Sequence, residues 1–272
     1  MQRSILIIDD HDQLAGSMRN AFEAAGHQVK VVSSRDEALA DNKIDSFDVV
    51  ITELDDCAPG EYESHDGQPA ATCLPGPLSE QKAAHIRAFK FCASHFRRDE
   101  FDEAELTHLI ETVLRLKSRY SDDADVVSHL HEKIEFELPS AIMPMHSILD
   151  YLMGRVEKQG VVRPDRSNLF VALDEAFVNA VKHGNKFNAQ KLVRITAEIS
   201  NQEASFTVED EGEGFDVNSI PDPLDPENLF KTSGRGVLFI YNIMDEVKYN
   251  ERGNRLTMVK RSDPEKREQN GS

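Results

Sequence analysis

Short apolar runs alternate with stretches of helical period through the first half of the chain. Residues 4–8 (SILII) are apolar after their first residue and end in Asp9 and Asp10, the pattern of a buried parallel strand with acids at its carboxyl end. A helix follows, with Leu14, Met18, Ala21, Phe22 and Ala25 on one face and Gly26 as its stop. Residues 29–34 and 47–54 read as two further strands, separated by a short helix at 35–40. Strands that alternate with helices predict a doubly wound parallel sheet, α/β in class, over residues 1–120. Residues 55–77 are rich in Gly, Pro and polar side chains and read as loop, with at most a short strand at 70–74. Helices are predicted at 79–90 and at 102–119, the second with Leu106, Leu109, Ile110, Val113 and Leu116 as its apolar face.

Beyond residue 133 the pattern changes. Ile134, Phe136 and Leu138 alternate as in a half-buried strand, and a helix within 139–160 turns Ile148, Leu149, Leu152 and Val156 inward. A second helix runs from about residue 167, with Leu169, Leu173, Phe177, Ala180 and Val181 as its apolar stripe. Val193, Ile195, Ala197 and Ile199 alternate, as do Ala204, Phe206 and Val208, so these strands are antiparallel neighbours joined at 201–203. A last helix carries Val237, Ile240, Tyr241, Met244 and Val247, and a hairpin around ERGN (residues 251–254) closes the chain. This order predicts an α+β sandwich over 133–261, a mixed sheet covered by helices on one face. The polar, acidic stretch 121–132 reads as a linker, and 262–272 as a disordered tail.

A length of 272 residues is enough for two such domains, each with its own core. The net charge of -18 is spread along the chain and repels nucleic acid and anionic membrane surfaces, so neither is an expected partner. Cys57, Cys73 and Cys92 are odd in number and far apart, which suggests neither a disulfide framework nor a zinc site. No run of eighteen apolar residues occurs, and the start MQRSILIIDD passes into acids rather than a cleavage site; a cytoplasmic protein is expected.

Candidate chemistry gathers at three places in the second half. In residues 171–185 (VALDEAFVNAVKHGN), Glu175, Asn179 and His183 recur every four positions, so a carboxylate, an amide and an imidazole share one helix face. Asp210 sits where a strand runs out, followed by Gly212 and Gly214. A carboxylate there can accept a hydrogen bond from an exocyclic amine, and glycines let backbone approach a flat base or a phosphate. Gly234, Arg235 and Gly236 open the last helix, where free amides and a guanidinium make an anion site. His131 before Glu132 has the look of a phosphoacceptor, but a strand begins at once and leaves no room for a dimerising helical hairpin, so a surface histidine is expected.

In the order E-x-x-x-N, D-x-G-x-G, G-R-G-helix, these pieces resemble the ATP-binding domain shared by gyrase, heat-shock chaperones, histidine kinases and MutL. The segments FELPS, DEAFVNAVKHGN, DEGEGFD, PDPLDPENL, GRGVLFIYNIMDEV and GNRLTMVKR are more specifically similar to the anti-sigma-factor serine kinases. That resemblance implies ATP and Mg2+ as ligands. It makes Asn179 the magnesium ligand, Asp210 the reader of the adenine amine, and Gly212 and Gly214 the lining of the base pocket. Gly234, Arg235 and Gly236 would meet the phosphates; His183 would serve either as a phosphate contact or in helix packing or capping, and Thr257 would either bond near the adenine or be an ordinary strand residue. Glu175 would be the general base toward a serine or threonine of an anti-sigma-factor antagonist protein. The resemblance also implies a sigma factor as alternative partner and a homodimer. A non-catalytic ATP-binding partner switch is the competing reading, because such a module needs Asn179 and Asp210 but no base.

The first half resembles the receiver domain of response regulators, in which Asp9 and Asp10 would hold magnesium and Glu53 would stand at the phosphoacceptor position. Glu53 departs from the family's aspartate, and its added methylene displaces the carboxylate from in-line transfer. Residues 93–102 resemble that family's last strand and following loop, with Asp99 where its lysine would stand and Arg97 or Arg98 as substitutes. A degenerate, regulatory receiver is expected, with a live receiver using an unusual site as the competing reading.

Overall fold

The computed structural model describes residues 2–9, 12–40, 44–55, 86–96, 101–121, 131–162, 168–217 and 235–262. Among the described residues nine strands form one sheet. Strands β1 (Ser4–Asp9), β2 (Gln28–Val32) and β3 (Val49–Asp55) are mutually parallel in the order β2-β1-β3, with helix α1 (Asp12–Ala24) joining β1 to β2 and α2 (Arg35–Ala40) following β2. Alternation of Ile5 and Ile7 with Leu6 and Ile8 divides the buried residues between two faces, one under α1 and one under α2.

The fourth strand departs from the doubly wound expectation. Residues Ile86–Cys92 form β4, antiparallel to β3, where the sequence suggested the end of a helix spanning 79–90. The period of two decides it. Phe89 and Phe91 enter the main core, while Ala88, Lys90 and Cys92 face the other side. Within the stretch 93–102, where a receiver-like strand was expected, the described residues 93–96 form a turn instead. Residues 97–100, which include Arg97, Arg98 and Asp99, fall outside the described residues, as do the strand suggested at 70–74 and the tail 263–272. Cys92 is buried and disulfide-bonded, where the number and spacing of the cysteines suggested no disulfide framework.

Strand β5 (His131–Pro139) pairs parallel to β4, and β6 (Leu192–Ile199), β7 (Glu203–Asp210), β9 (Arg255–Arg261) and β8 (Glu246–Tyr249) continue the sheet antiparallel. Helix α3 (Glu103–Ser121) packs on α4 (Met143–Lys158), α4 on α5 (Leu169–Val178), and α5 on α6 (Arg235–Ile243). One apolar core runs from Ile5 to Met258 beneath them. At its middle Phe89 of β4 meets Phe136 of β5 and Tyr151 of α4 edge-on, at centroid separations of 5.8 and 6.4 Å. His131 and Glu132, expected in a linker, are the first residues of β5, and Arg155 of α4 binds Glu132 where both are buried.

Glu53 ends in this seam. It is the register neighbour of Asp9, and its carboxylate takes two hydrogen bonds from Lys117 of α3, at 2.6 and 2.5 Å, with Lys117 also 4.5 Å over the Phe89 ring. Tyr151 lies close by, its hydroxyl pushed well above the ordinary phenol range by burial and by the Glu53 charge. Removing one member of a buried ion pair leaves the other uncompensated. Lys117→Met should therefore destabilise by about 3–5 kcal/mol in urea unfolding, and adding Glu53→Gln should recover much of the loss.

Candidate functional site

The wall of the site is α5 and its continuation. The ten residues of α5 are largely apolar, with Leu169, Ala172, Leu173, Ala176 and Phe177 buried, so the helix is fixed on the sheet by that stripe. At Asn179 the winding widens into a π-helical turn, Asn179–Gly184, closed by the bond from Asn185 N to Ala180 O at 2.8 Å. Such turns concentrate at functional sites because they re-aim side chains without ending a helix. Lys186 and Phe187 then take φ of 57° and 56°, an uncommon conformation for residues with a Cβ. Asn185 holds this exit in place. It is buried, donates to Leu192 O at 2.9 Å and accepts from Glu211 N at 2.9 Å, tying the helix end to the start of β6 and the end of β7.

A cavity of about 470 Å³ opens between α5, the end of β7, the first turn of α6 and the β8–β9 hairpin. That volume suits a ligand of nucleotide size. Glu175, Asn179, His183, Asp210, Gly214 and Gly236 all line it, so one cleft collects these candidates from all three motifs. Gly212 lies behind the wall, where its amide donates to Asp210 Oδ1 at 2.7 Å. Arg235 is the first residue of α6, its side chain outside what is described, and Gly234 lies outside the described residues. Thr257 lies apart from the cleft lining. It pairs with Thr207 on the face of the sheet opposite the helices, their hydroxyls 3.0 Å apart, while its neighbours Leu256 and Met258 point into the core. In the first half Asp9 lines a separate cavity with Arg19, Ser33 and Glu37, and Asp10 is outside the described residues.

Two close approaches account for glycines in the cleft. A Cβ on Gly184 would collide with the Asp210 carboxylate, and one on Gly236 would overlap the carboxylate of Glu175. Asp210 is half-buried, and that burial raises its pKa above the ordinary carboxylate value, against the Gly212 amide, which lowers it. Sequence reasoning missed the apolar side of the cleft. Phe215 stands edge-on to Tyr249 at 5.3 Å, with Val208 and Leu256 beside them, and burial pushes the Tyr249 hydroxyl up to about 12. The cleft thus offers an apolar, aromatic wall with one carboxylate at its edge, and polar groups from α5 facing a helix N-terminus.

The family model for the histidine kinase-like ATPase domain matches residues 140–260. Over 146 residues the chain is 30% identical to the serine-protein kinase RsbW of Staphylococcus epidermidis, an overlap of 51% of this chain and 92% of that protein. The chain belongs, through its second half, to the RsbW family of histidine kinase-like ATPase domains. RsbW of Staphylococcus aureus strain Newman matches with the same identity and coverage. In the RsbW-like half the helices α4, α5 and α6 cover one face of the strands β5, β6, β7, β9 and β8, which are antiparallel throughout where a mixed sheet was expected. Among the described residues no helix is long and apolar enough to cross a membrane.

The Asp210 environment has a consequence for stability. A carboxyl whose folded pKa is raised binds its proton more tightly in the folded state, so its contribution is present at low pH and is lost as pH rises through the folded pKa. Asp210→Asn should therefore raise the Tm of the protein at pH 7 and leave it little changed near pH 3.5.

Proposed function

We propose that the chain binds Mg-ATP in the α5 cleft and transfers the γ-phosphoryl group to a serine or threonine of an anti-sigma-factor antagonist protein. The observation that carries this reading is Glu175, a carboxylate on the cleft wall one turn before Asn179 and packed against Gly236 at the start of α6. A module that only binds nucleotide has no need of a carboxylate there. The donor set fits the ligands: a flat base suits the Phe215–Tyr249 wall with Asp210 at its edge, and the Gly184–Asp210 approach leaves room no Cβ would allow. The identity to RsbW, whose name is that of a serine-protein kinase, supports the reaction class.

In this mechanism Asp210 accepts a hydrogen bond from the exocyclic amine and fixes the base. Asn179, through its amide oxygen, would hold Mg2+ together with phosphate oxygens, as that ion is ordinarily bound by few protein groups plus substrate. The ion supplies charge neutralisation on the transferring group. Glu175 orients the incoming hydroxyl and takes its proton as the new O–P bond forms and the bond to the leaving diphosphate breaks. Arg235, Gly236 and the amides of the first turn of α6, together with Gly234 and His183, steady the phosphates.

Regulation by the receiver-like half is part of the proposal, and so is its loss of phosphoacceptor chemistry. Glu53 is buried and neutralised by Lys117, which supports a structural role for it. The path from that pair to the cleft is continuous: α3 packs on α4, and α4 on α5. The partner proteins would be the antagonist and, in alternation, a sigma factor. A homodimer would form away from β5, whose outer edge β4 already occupies.

The test is transfer of labelled γ-phosphate to a candidate antagonist. Glu175→Gln should lower the transfer rate by about 10²–10⁴-fold while ATP affinity changes little; Asn179→Ala should weaken ATP binding itself. Unchanged transfer by Glu175→Gln would remove the base assignment. ATP binding with no acceptor phosphorylation would favour the non-catalytic partner switch.

A further inference from the structure

The turn joining β8 to β9 closes over the loop that carries Asp210. Arg252 Nη2 donates to Gly212 O at 2.8 Å, and Asn254 Nδ2 donates to Asp210 O at 2.7 Å. In the other direction Phe215 N donates to Arg252 O at 3.1 Å and Asp210 N to Asn254 O at 3.0 Å. The turn is itself braced. Asn250 Oδ1 accepts from Asn254 N at 3.1 Å and Arg255 N at 3.2 Å, and Gly253 N donates to Asn250 O at 3.0 Å. Approach is tight on both sides, since a Cβ on Gly214 would overlap Arg252 O and one on Gly253 would overlap Phe215 O.

Gly212 is therefore held at both ends. Its amide donates to the Asp210 carboxylate at 2.7 Å, and its carbonyl accepts from the Arg252 guanidinium. Arg252 is exposed on the surface apart from this bond, so packing of the core does not explain it. Its charge also works on Asp210, opposing the rise in pKa that burial imposes. Hydrogen bonds from a charged donor are stronger than neutral ones and hold geometry more firmly.

We infer that Arg252 is a positioning residue for base recognition: through Gly212 it fixes the Asp210 carboxylate in the orientation that accepts a hydrogen bond from an exocyclic purine amine. The inference rests on the ATP-binding reading above. Asn254 supports the same loop through the Asp210 carbonyl, but it is buried inside the turn, and its removal would disturb the hairpin as well. Arg252 is the cleaner probe.

The test measures Kd for Mg-ATP and for the Mg complex of purine riboside triphosphate, in which hydrogen replaces the amine, with the full chain and its Arg252→Ala and Arg252→Lys variants. Wild type should prefer ATP by about ten- to a hundredfold, the range of one hydrogen bond to a charged group. Arg252→Ala should shrink that preference by about fivefold with the analogue's Kd nearly unchanged, and Arg252→Lys, which keeps a cationic donor, should restore most of it. Equal weakening of both nucleotides, or an undiminished preference in Arg252→Ala, would overturn the positioning role. No preference in the wild type would instead sink the adenine-binding reading beneath it.

Discussion

The Asp210 carboxylate lies against the backbone of Gly184 with no room for a side chain between them, and the cleft takes its shape from that approach. To reach it, α5 must deliver a glycine at the level where β7 ends. The π-helical turn and Asn185 meet that requirement, the first by widening the helix and the second by bonding to β6 and β7 at once. Burial of Asp210 follows, and with it a raised pKa that costs the empty protein stability. A site that binds a base through a half-buried acid carries this cost, because the desolvation that strengthens the bond to ligand also penalises the free carboxylate.

The first half is joined to this arrangement by strand pairing and packing together. β4 covers the outer edge of β5, which would otherwise expose a row of unpaired amides and carbonyls, and α3 covers α4. Two buried ion pairs lie in the seam, Glu53 with Lys117 and Glu132 with Arg155. Each is costly to break singly, so the seam has few intermediate arrangements. The same packing chain, α3 on α4 and α4 on α5, leads from the seam to the helix that carries Glu175.

The polar row of α5 was legible in the sequence because helical spacing alone aligns Glu175 with Asn179, and the D-x-G-x-G and G-R-G segments name their own surroundings. Other features depend on information no local pattern holds. β4 was misread because Gln81, Lys82, Ala83 and Ala84 before it are helix formers, and its period of two extends over seven residues only. The side that Thr257 presents depends on strand parity, which flips with one residue of register and decides between core and open side. Lys117 follows Val113 by four on the buried stripe of α3, which asks for an acid partner, yet that partner is Glu53, 64 residues away in sequence. Arg252 and Asn254 look like ordinary hairpin-turn residues until the loop they hold is seen beside them.

On the proposed Mg-ATP reading, one nucleotide joins α5, the Asp210 loop, the start of α6 and the β8–β9 turn. Amide hydrogen exchange of the full chain with and without Mg-ATP reads all four at once. Joint slowing is expected in residues 175–184, 210–215, 235–240 and 250–254, with the first-half strands little changed. Slowing confined to one of these segments, or absent from all of them at saturating Mg-ATP, would contradict it.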